Sequence, residues 1–470
     1  MRPVLLAGLA AALILGAGCA SRPINERIDK VDPTTGYRID LRMGKRASND
    51  SRTLLVLAFS GGGTRAAALS YGVLEELRRT EIAVGGERRR LLDEVDLVSG
   101  VSGGSFTALA YALYGERLFD EYEARFLKRD VQGALIARTF NPFSWPKLVG
   151  GSYGRSELAA DYYDEILFEG ATFGSLLDKP TPMAVVTGTD ISTGARLMFT
   201  QSDFDLLCSD LHKVPLARAA AASSAVPILL SPVTFNNYGG TCGYQYLDII
   251  ADLRNPAHRS RPAGRALMRY RELQDFERSG ERPFIHVVDG GVSDNLGLRG
   301  VIEGIEVLEA SPMFREVAGL QRLDRVAVIV VNARSAPRTD WDQSESPPGI
   351  IAQLLQSSSV PIDRNSYELV HVMRDTAERW EAQRDLLIAR QRLAGVPDAE
   401  IDGRFSRLSA FAIDVSFEAI ADPGERDYFM NLPTTFSLPP EAIDRLRAIA
   451  GRLLRESPDY QRLLKDFRRP

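Results

Sequence analysis

Across 470 residues there are only three cysteines, four histidines and three tryptophans. Basic charge is not in excess either: 57 lysines and arginines face 62 aspartates and glutamates, with no dominant basic tract. That argues against nucleic acid as a partner, and no basic face for anionic lipid stands out. The phosphate-loop signature G-K-[ST] is missing. Ser60-Gly-Gly-Gly-Thr-Arg65 looks like a dinucleotide loop, but a full G-x-G-x-x-G needs glycine where Ala66 stands. There are no internal repeats, and no motif asks for a metal or an organic cofactor. What the chain does have is 44% hydrophobic and 25% charged residues, an ordinary globular composition able to bury a large core.

The N-terminus departs from this average. Met1 to Gly18 carries one charge, Arg2, then an apolar run ending in small residues. The run is short for a membrane span and reads as a secretory signal. Gly16-Ala17-Gly18-Cys19 resembles the end of a bacterial lipoprotein signal, although that pattern usually has leucine where Gly16 stands. The resemblance implies that Cys19 is lipidated and becomes the new N-terminus; simple cleavage leaving a free cysteine is the alternative. Ala20 and Ser21 follow, with no aspartate in second place, which implies the outer membrane of a Gram-negative cell, facing the periplasm. Cys208 and Cys242 then remain as an even pair in an oxidising compartment and are expected to form a disulfide; two buried free thiols are the alternative.

Residues 20–52 are polar, lack apolar periodicity and read as a tether. Leu54 to Phe59 is a continuous apolar run, as in a strand buried on both faces. Further short strands are expected at 96–98, 183–187, 284–288 and 326–331, with helices at 64–79, 105–114, 213–225 and 297–309. Strands alternating with helices argue for an α/β layered fold with a mainly parallel central sheet. The Arg-rich stretch 254–282 reads as a surface insertion. Beyond about 336 the pattern turns helical, with one half-buried strand suggested by the alternation of Phe411, Ile413, Val415 and Phe417. The expected organisation is therefore a signal (1–18), a lipidated tether (19–52), a catalytic domain (53–335) and a mostly helical extension (336–470).

Three stretches carry the chemistry. Gly100-Val-Ser102-Gly-Gly104 fits G-x-S-x-G between an apolar strand and an apolar helix. A nucleophile on so sharp a turn is strained, so its neighbours must lack bulk. The turn also places Ser102 at a helix N-terminus, where free N–H groups favour developing negative charge. Gly61-Gly62-Gly63, followed by Arg65, sits at a second strand-to-helix junction, where successive N–H groups could complete an oxyanion hole. Asp289-Gly290-Gly291 closes a third strand, placing a carboxylate where sheets present site groups.

In this order the three stretches resemble the patatin-like phospholipase family, supported by Thr187-Gly-Thr-Asp190 and Ala222-Ser-Ser-Ala-Val-Pro227. The resemblance covers about residues 53–335 and implies the three-layer α/β/α fold of that family. It further implies lipid acyl hydrolysis by a serine–aspartate dyad, with Ser102 as nucleophile and Asp289 as general base. Gly61, Gly62, Gly63 and Gly103 would form the oxyanion hole and Arg65 would brace the loop. The implied partner is membrane lipid, reached through the lipid anchor.

Two alternatives stand beside this reading. The order Ser102, Asp289, His371 also fits a histidine triad, although His371 lies in a helix-like run. His286 falls on the opposite face of its strand from Asp289. The other alternative is a non-catalytic envelope lipoprotein that binds lipid or a partner on the same scaffold, since fold never guarantees activity.

Overall fold

The structure, a computed structural model of the chain, describes residues 21–43, 49–149, 152–244, 264–310, 323–336, 340–404 and 409–468. Cys19 and the expected signal lie outside the described residues. Among the described residues there are ten strands: β1 (Thr53–Phe59), β2 (Glu81–Val84), β3 (Glu87–Arg90), β4 (Val95–Gly100), β5 (Met183–Asp190), β6 (Arg196–Met198), β7 (Val233–Asn236), β8 (Phe284–Asp289), β9 (Arg325–Asn332) and β10 (Ser409–Ser416). The helices that matter for the site are α1 (Gly63–Arg79), α2 (Gly103–Tyr114), α3 (Val131–Phe140), α4 (Leu216–Ser223), α5 (Gly264–Phe276), α6 (Arg299–Ala310), α7 (Ile350–Leu393) and α8 (Pro440–Glu456).

Eight strands form the central sheet, in the order β10-β9-β1-β4-β5-β8-β7, with β6 beside β5. From β10 to β5 all neighbours are parallel. At β5 the sheet changes character, and β6, β8 and β7 join antiparallel. Every residue of β1, β4 and β5 is buried. Their apolar runs therefore need cover on both faces, which helices supply as in any parallel sheet. This is the expected α/β architecture with a helical C-terminal extension.

The extension is built into that architecture. β10 pairs with β9 along its whole length, from Ser409 opposite Arg325 to Ser416 opposite Asn332. Phe411, Ile413 and Val415 of the expected alternation thus lie on an edge strand of the main sheet, and Phe417 opens the 3-10 turn that follows it. Helix α8 lies on α1 so closely that a Cβ at Gly72 would stand 2.6 Å from Arg447 O. It buries Ile443, Leu446, Ile449 and Leu453, and Arg447 pairs with Glu75 of α1 at 2.8 Å.

The stretch read as a tether is docked between Arg22 and Met43. Asn25 Nδ2 donates to Ser209 Oγ at 2.8 Å, and Arg38 pairs with the buried Asp205 at 2.6 Å. Tyr37 is buried, and its hydroxyl accepts from Ala184 N at 2.8 Å on β5. Polar side chains hold this segment through hydrogen bonds, so it shows none of the apolar periodicity that marks a packed element. Similarly, the part of 254–282 that is described is no simple surface insertion: Arg269 on α5 is buried and pairs with Asp203 at 2.7 Å. Cys208 and Cys242 are joined in a disulfide with 5.6 Å between their Cα atoms.

Candidate active site

Strand β4 ends at Gly100, and helix α2 starts at Gly103, which leaves two residues for the reversal. Ser102 takes φ 49° and ψ −119°, a conformation that costs a non-glycine residue on the order of 1–3 kcal/mol. The neighbours explain why the flanks must be glycine. A Cβ at Gly103 would overlap Gly63 O, and one at Gly104 would stand 2.6 Å from Phe59 O. At Gly100 it would meet Gly104 O at 2.9 Å. The turn is held from outside as well: Ser102 N donates at 2.9 Å to the Oγ of Ser223, the first serine of the Ala222–Pro227 stretch.

Asp289 reaches Ser102 from an antiparallel strand. On β5, Val186 is level with Gly100 of β4, and Gly188 is level with Asp289 of β8. Strand β8 therefore ends two residues beyond the tip of β4, where the chain turns through Ser102. There Ser102 Oγ donates to Asp289 Oδ2 at 2.9 Å. The other carboxylate oxygen, Oδ1, accepts from Gly291 N at 2.8 Å. Gly290 packs against Thr187 O, and its own N–H donates to Ser223 O at 3.1 Å. Ser102 and Asp289 are only 6% and 7% exposed. Burial pushes the Asp289 carboxyl up to about 6, against the opposing pull of the Gly291 N–H and the Ser102 hydroxyl.

The glycine loop divides into different tasks. Gly61 does not offer its N–H to a ligand, because it donates to Asn295 O at 2.9 Å. This corrects the expectation of four oxyanion donors. The cause is the short α-helical turn after Asp289, which carries Asn295 onto the loop. Gly62 and Gly63, at φ 137° and 60°, lie in the region that favours glycine. Among the described residues, the N–H groups of Gly62, Gly63 and Gly103 have no partner. A Cβ at Gly63 would overlap Thr435 O, which itself accepts from Thr64 N at 2.8 Å.

Arg65 is buried and spans the gap between this loop and the C-terminal region. Its Nε donates to Ala333 O at 3.0 Å and its Nη2 to Thr434 Oγ1 at 3.1 Å, while Nη1 donates to Leu432 O. Burial lowers its pKa to about 10, with Asp363 opposing, so it remains charged at neutral pH. Replacing Arg65 with alanine leaves these carbonyls without a donor. The expected loss is roughly 3–5 kcal/mol in denaturant unfolding. Arg65→Lys is expected to recover only part of it, because one ammonium cannot reproduce a fork aimed at three acceptors.

The histidines stay apart from this cluster. His371 is exposed on α7, with its ring 4.5 Å from that of Tyr367. His286 is exposed and meets Thr234 Oγ1 at 2.9 Å. Both Asp289 oxygens are engaged by Ser102 and Gly291, and the histidine triad is not assembled. Asn295 and Ser223 are site residues that sequence reasoning missed: Ser223 sits inside the Ala222–Pro227 stretch and Asn295 four residues past Asp289-Gly290-Gly291, but no spacing rule singled either out.

A family profile described as Patatin-like phospholipase matches residues 57–302, more than half of the chain. The chain belongs to the patatin-like phospholipase family, for which lipid hydrolase chemistry is typical. No curated protein matches it in sequence. Among solved structures it is similar to human GIVD cytosolic phospholipase A2, with a TM-score of 0.40 and 13% identity over 92% of this chain and 62% of that one. The chain thus spans about three fifths of the human enzyme's length. It is also similar to VipD from Legionella pneumophila, with a TM-score of 0.31 and 12% identity over 95% of this chain and 71% of that one.

Proposed function

We propose that the chain is a serine acyl hydrolase that cleaves carboxylic esters of membrane lipids, of the phospholipase A or lysophospholipase type. The observation that carries this is the 2.9 Å hydrogen bond from Ser102 Oγ to Asp289 Oδ2, made on a strained turn at a helix N-terminus. Ser102 Oγ attacks the ester carbonyl carbon while its proton passes to Asp289 Oδ2. The carbonyl oxygen, now negative, is held by the N–H groups of Gly62, Gly63 and Gly103. Asp289 returns the proton to the departing alkoxide, and the acyl group stays on Ser102. Water then attacks the acyl-enzyme, giving its proton to Asp289, and the fatty acid leaves as Ser102 regains its hydrogen.

An unperturbed aspartate, near 3.9, is a weak base at neutral pH. The raised value of Asp289 brings it closer to the working range while leaving it mostly ionised at pH 7. In this reading the lipid anchor at Cys19 holds the enzyme at the outer membrane, facing the periplasm, and raises the effective concentration of substrate.

The test is fatty-acid release from mixed phospholipid vesicles and from lysophospholipid, together with a pH profile on a soluble short-chain ester. Activity requires ionised Asp289. The profile of kcat/KM is expected to fall about tenfold per pH unit once pH drops below about 6. A folded protein that releases nothing from phospholipid, lysophospholipid or simple esters would overturn the proposal and favour a lipid-binding role.

A further inference from the structure

The described residues expose eighteen large apolar side chains. Four of them fall within ten residues: Ile136 and Phe140 on α3, then Phe143 and Trp145. Phe140 is 71% and Phe143 84% exposed, which is far from the chance exposure of a single leucine. Ile136 and Phe140 are four residues apart and share a face of α3. Two more, Ile228 and Leu229, are adjacent in sequence, and Ile228 takes φ 76°, unusual for a β-branched residue.

These two stretches border the site from different sides. Helix α3 starts beside the oxyanion loop: Gln132 N donates to Phe436 O at 3.2 Å, next to the Thr435 that contacts Gly63 and Thr64. Ile228 and Leu229 follow Ala225, whose carbonyl accepts from Asp289 N at 3.0 Å. The two stretches are also tied to each other through the helix at Arg155–Tyr163. Arg138 of α3 lies over the Tyr162 ring at 4.3 Å, and Arg155 Nη2 donates to Ile228 O at 3.1 Å. Ser156 N donates to Ser231 Oγ at 3.1 Å. Val292, 43% exposed and three residues from Asp289, is a further exposed apolar side chain near the site in sequence.

We propose that this apolar surface docks onto a lipid bilayer, so that the mouth of the site opens on the membrane rather than on water. Trp145 suits the headgroup boundary, where its apolar body and its indole N–H are both satisfied, while Ile136, Phe140 and Phe143 offer wholly apolar surface to the acyl chains. Lys147 and Arg155 are exposed at the margin of the patch, placed to meet lipid phosphates. The N-terminal chain is compatible with the same orientation. Arg22 donates to Thr234 O at 3.1 Å on β7, and Thr234 is level with His286. His286 is three residues, or roughly 10 Å, along β8 from Asp289. The Cys19 anchor of the proposed function would attach three residues before Arg22.

This inference rests on the lipid hydrolase reading for its purpose, and the experiment separates the two. The full chain carrying Ser102→Ala is mixed with phosphatidylethanolamine and phosphatidylglycerol vesicles whose acyl chains are brominated. Bromine is expected to quench tryptophan fluorescence, and a further Trp145→Phe change to remove most of that quenching. In parallel, Phe140→Ser with Phe143→Ser in the otherwise native chain is expected to lower vesicle hydrolysis at least tenfold while hydrolysis of a soluble short-chain ester is unchanged. Absence of quenching assignable to Trp145 overturns the docking proposal, whatever the activity. Equal loss on both substrates also overturns it, since the patch would then serve the fold or the chemistry. A second copy seated on the patch would instead give dimers that Phe143→Ser abolishes, with no quenching. If the parent hydrolyses nothing but Trp145 is quenched, docking stands and the hydrolase reading fails.

Discussion

Replacing Ser102 with alanine is expected to lower ester hydrolysis by on the order of 10⁴-fold or more, while the fold survives. Alanine accepts the same backbone position about as well as serine does, and Ser102 N keeps its bond to Ser223 Oγ. What disappears is the proposed nucleophile, the hydroxyl that donates to Asp289 Oδ2. Asp289→Asn is expected to cost about 10²–10⁴-fold, the range of a general base. The pair also makes a stability prediction of opposite sign to the usual one. Asp289 has a folded value near 6, above its unfolded value of about 3.9. Its protonated form is favoured by folding, so its contribution to stability is lost as pH rises from about 4 to 6. Above 6 the fold carries an ionised, buried carboxylate at a cost of roughly 3 kcal/mol. Asp289→Asn removes that cost and is expected to be inactive at pH 7 yet at least as stable as the parent in urea unfolding. An inactive variant that is also several kcal/mol less stable would mean that Asp289 serves the fold instead.

Ending the chain after residue 335 is expected to abolish the folded state, with no active core left behind. The cut removes β10, exposing a full edge of β9, and such an edge invites aggregation. It strips α8 from α1, uncovering the face against which Ile443, Leu446 and Leu453 are buried. It also takes away Leu432 and Thr434 from Arg65 and Thr435 from Thr64, so the Gly61–Gly63 loop loses its outer support. Expression, near-ultraviolet circular dichroism and soluble-ester turnover of the truncated chain give the readout. A truncated chain that is folded and active would show that 336–470 is an appendage, despite its place in the sheet.

The contrast between these two predictions marks how far the sequence could be read. The Gly100–Gly104 turn was legible because its constraint is local: a strand, two turn residues and a helix leave no room for side chains, and glycine records this directly. The apolar runs of β1, β4, β5 and β9 were legible for the same kind of reason, since burial on both faces favours a continuous apolar stretch over an alternating one. The Phe411–Phe417 alternation identified β10 as a strand but could not name its partner. Strand pairing depends on the neighbour, and nothing in Ser409–Ser416 encodes that β9 lies beside it. The docked segment from Arg22 to Met43 was opaque because hydrogen bonds such as Asn25 to Ser209 leave no periodic trace.

The residue types of the candidate site, the expected nucleophile turn and the α/β class thus came from the amino-acid sequence alone. Tertiary structure decided which groups are free to act. It brought Asp289 to Ser102 on a strand antiparallel to β5, and it committed the Gly61 N–H to Asn295. It also gave Arg65 acceptors 268 and 367 positions away. The physical reason is the same in each case. A motif reports the sterics and chemistry of its own few residues, whereas the occupancy of a hydrogen bond depends on whatever distant backbone the fold delivers to it.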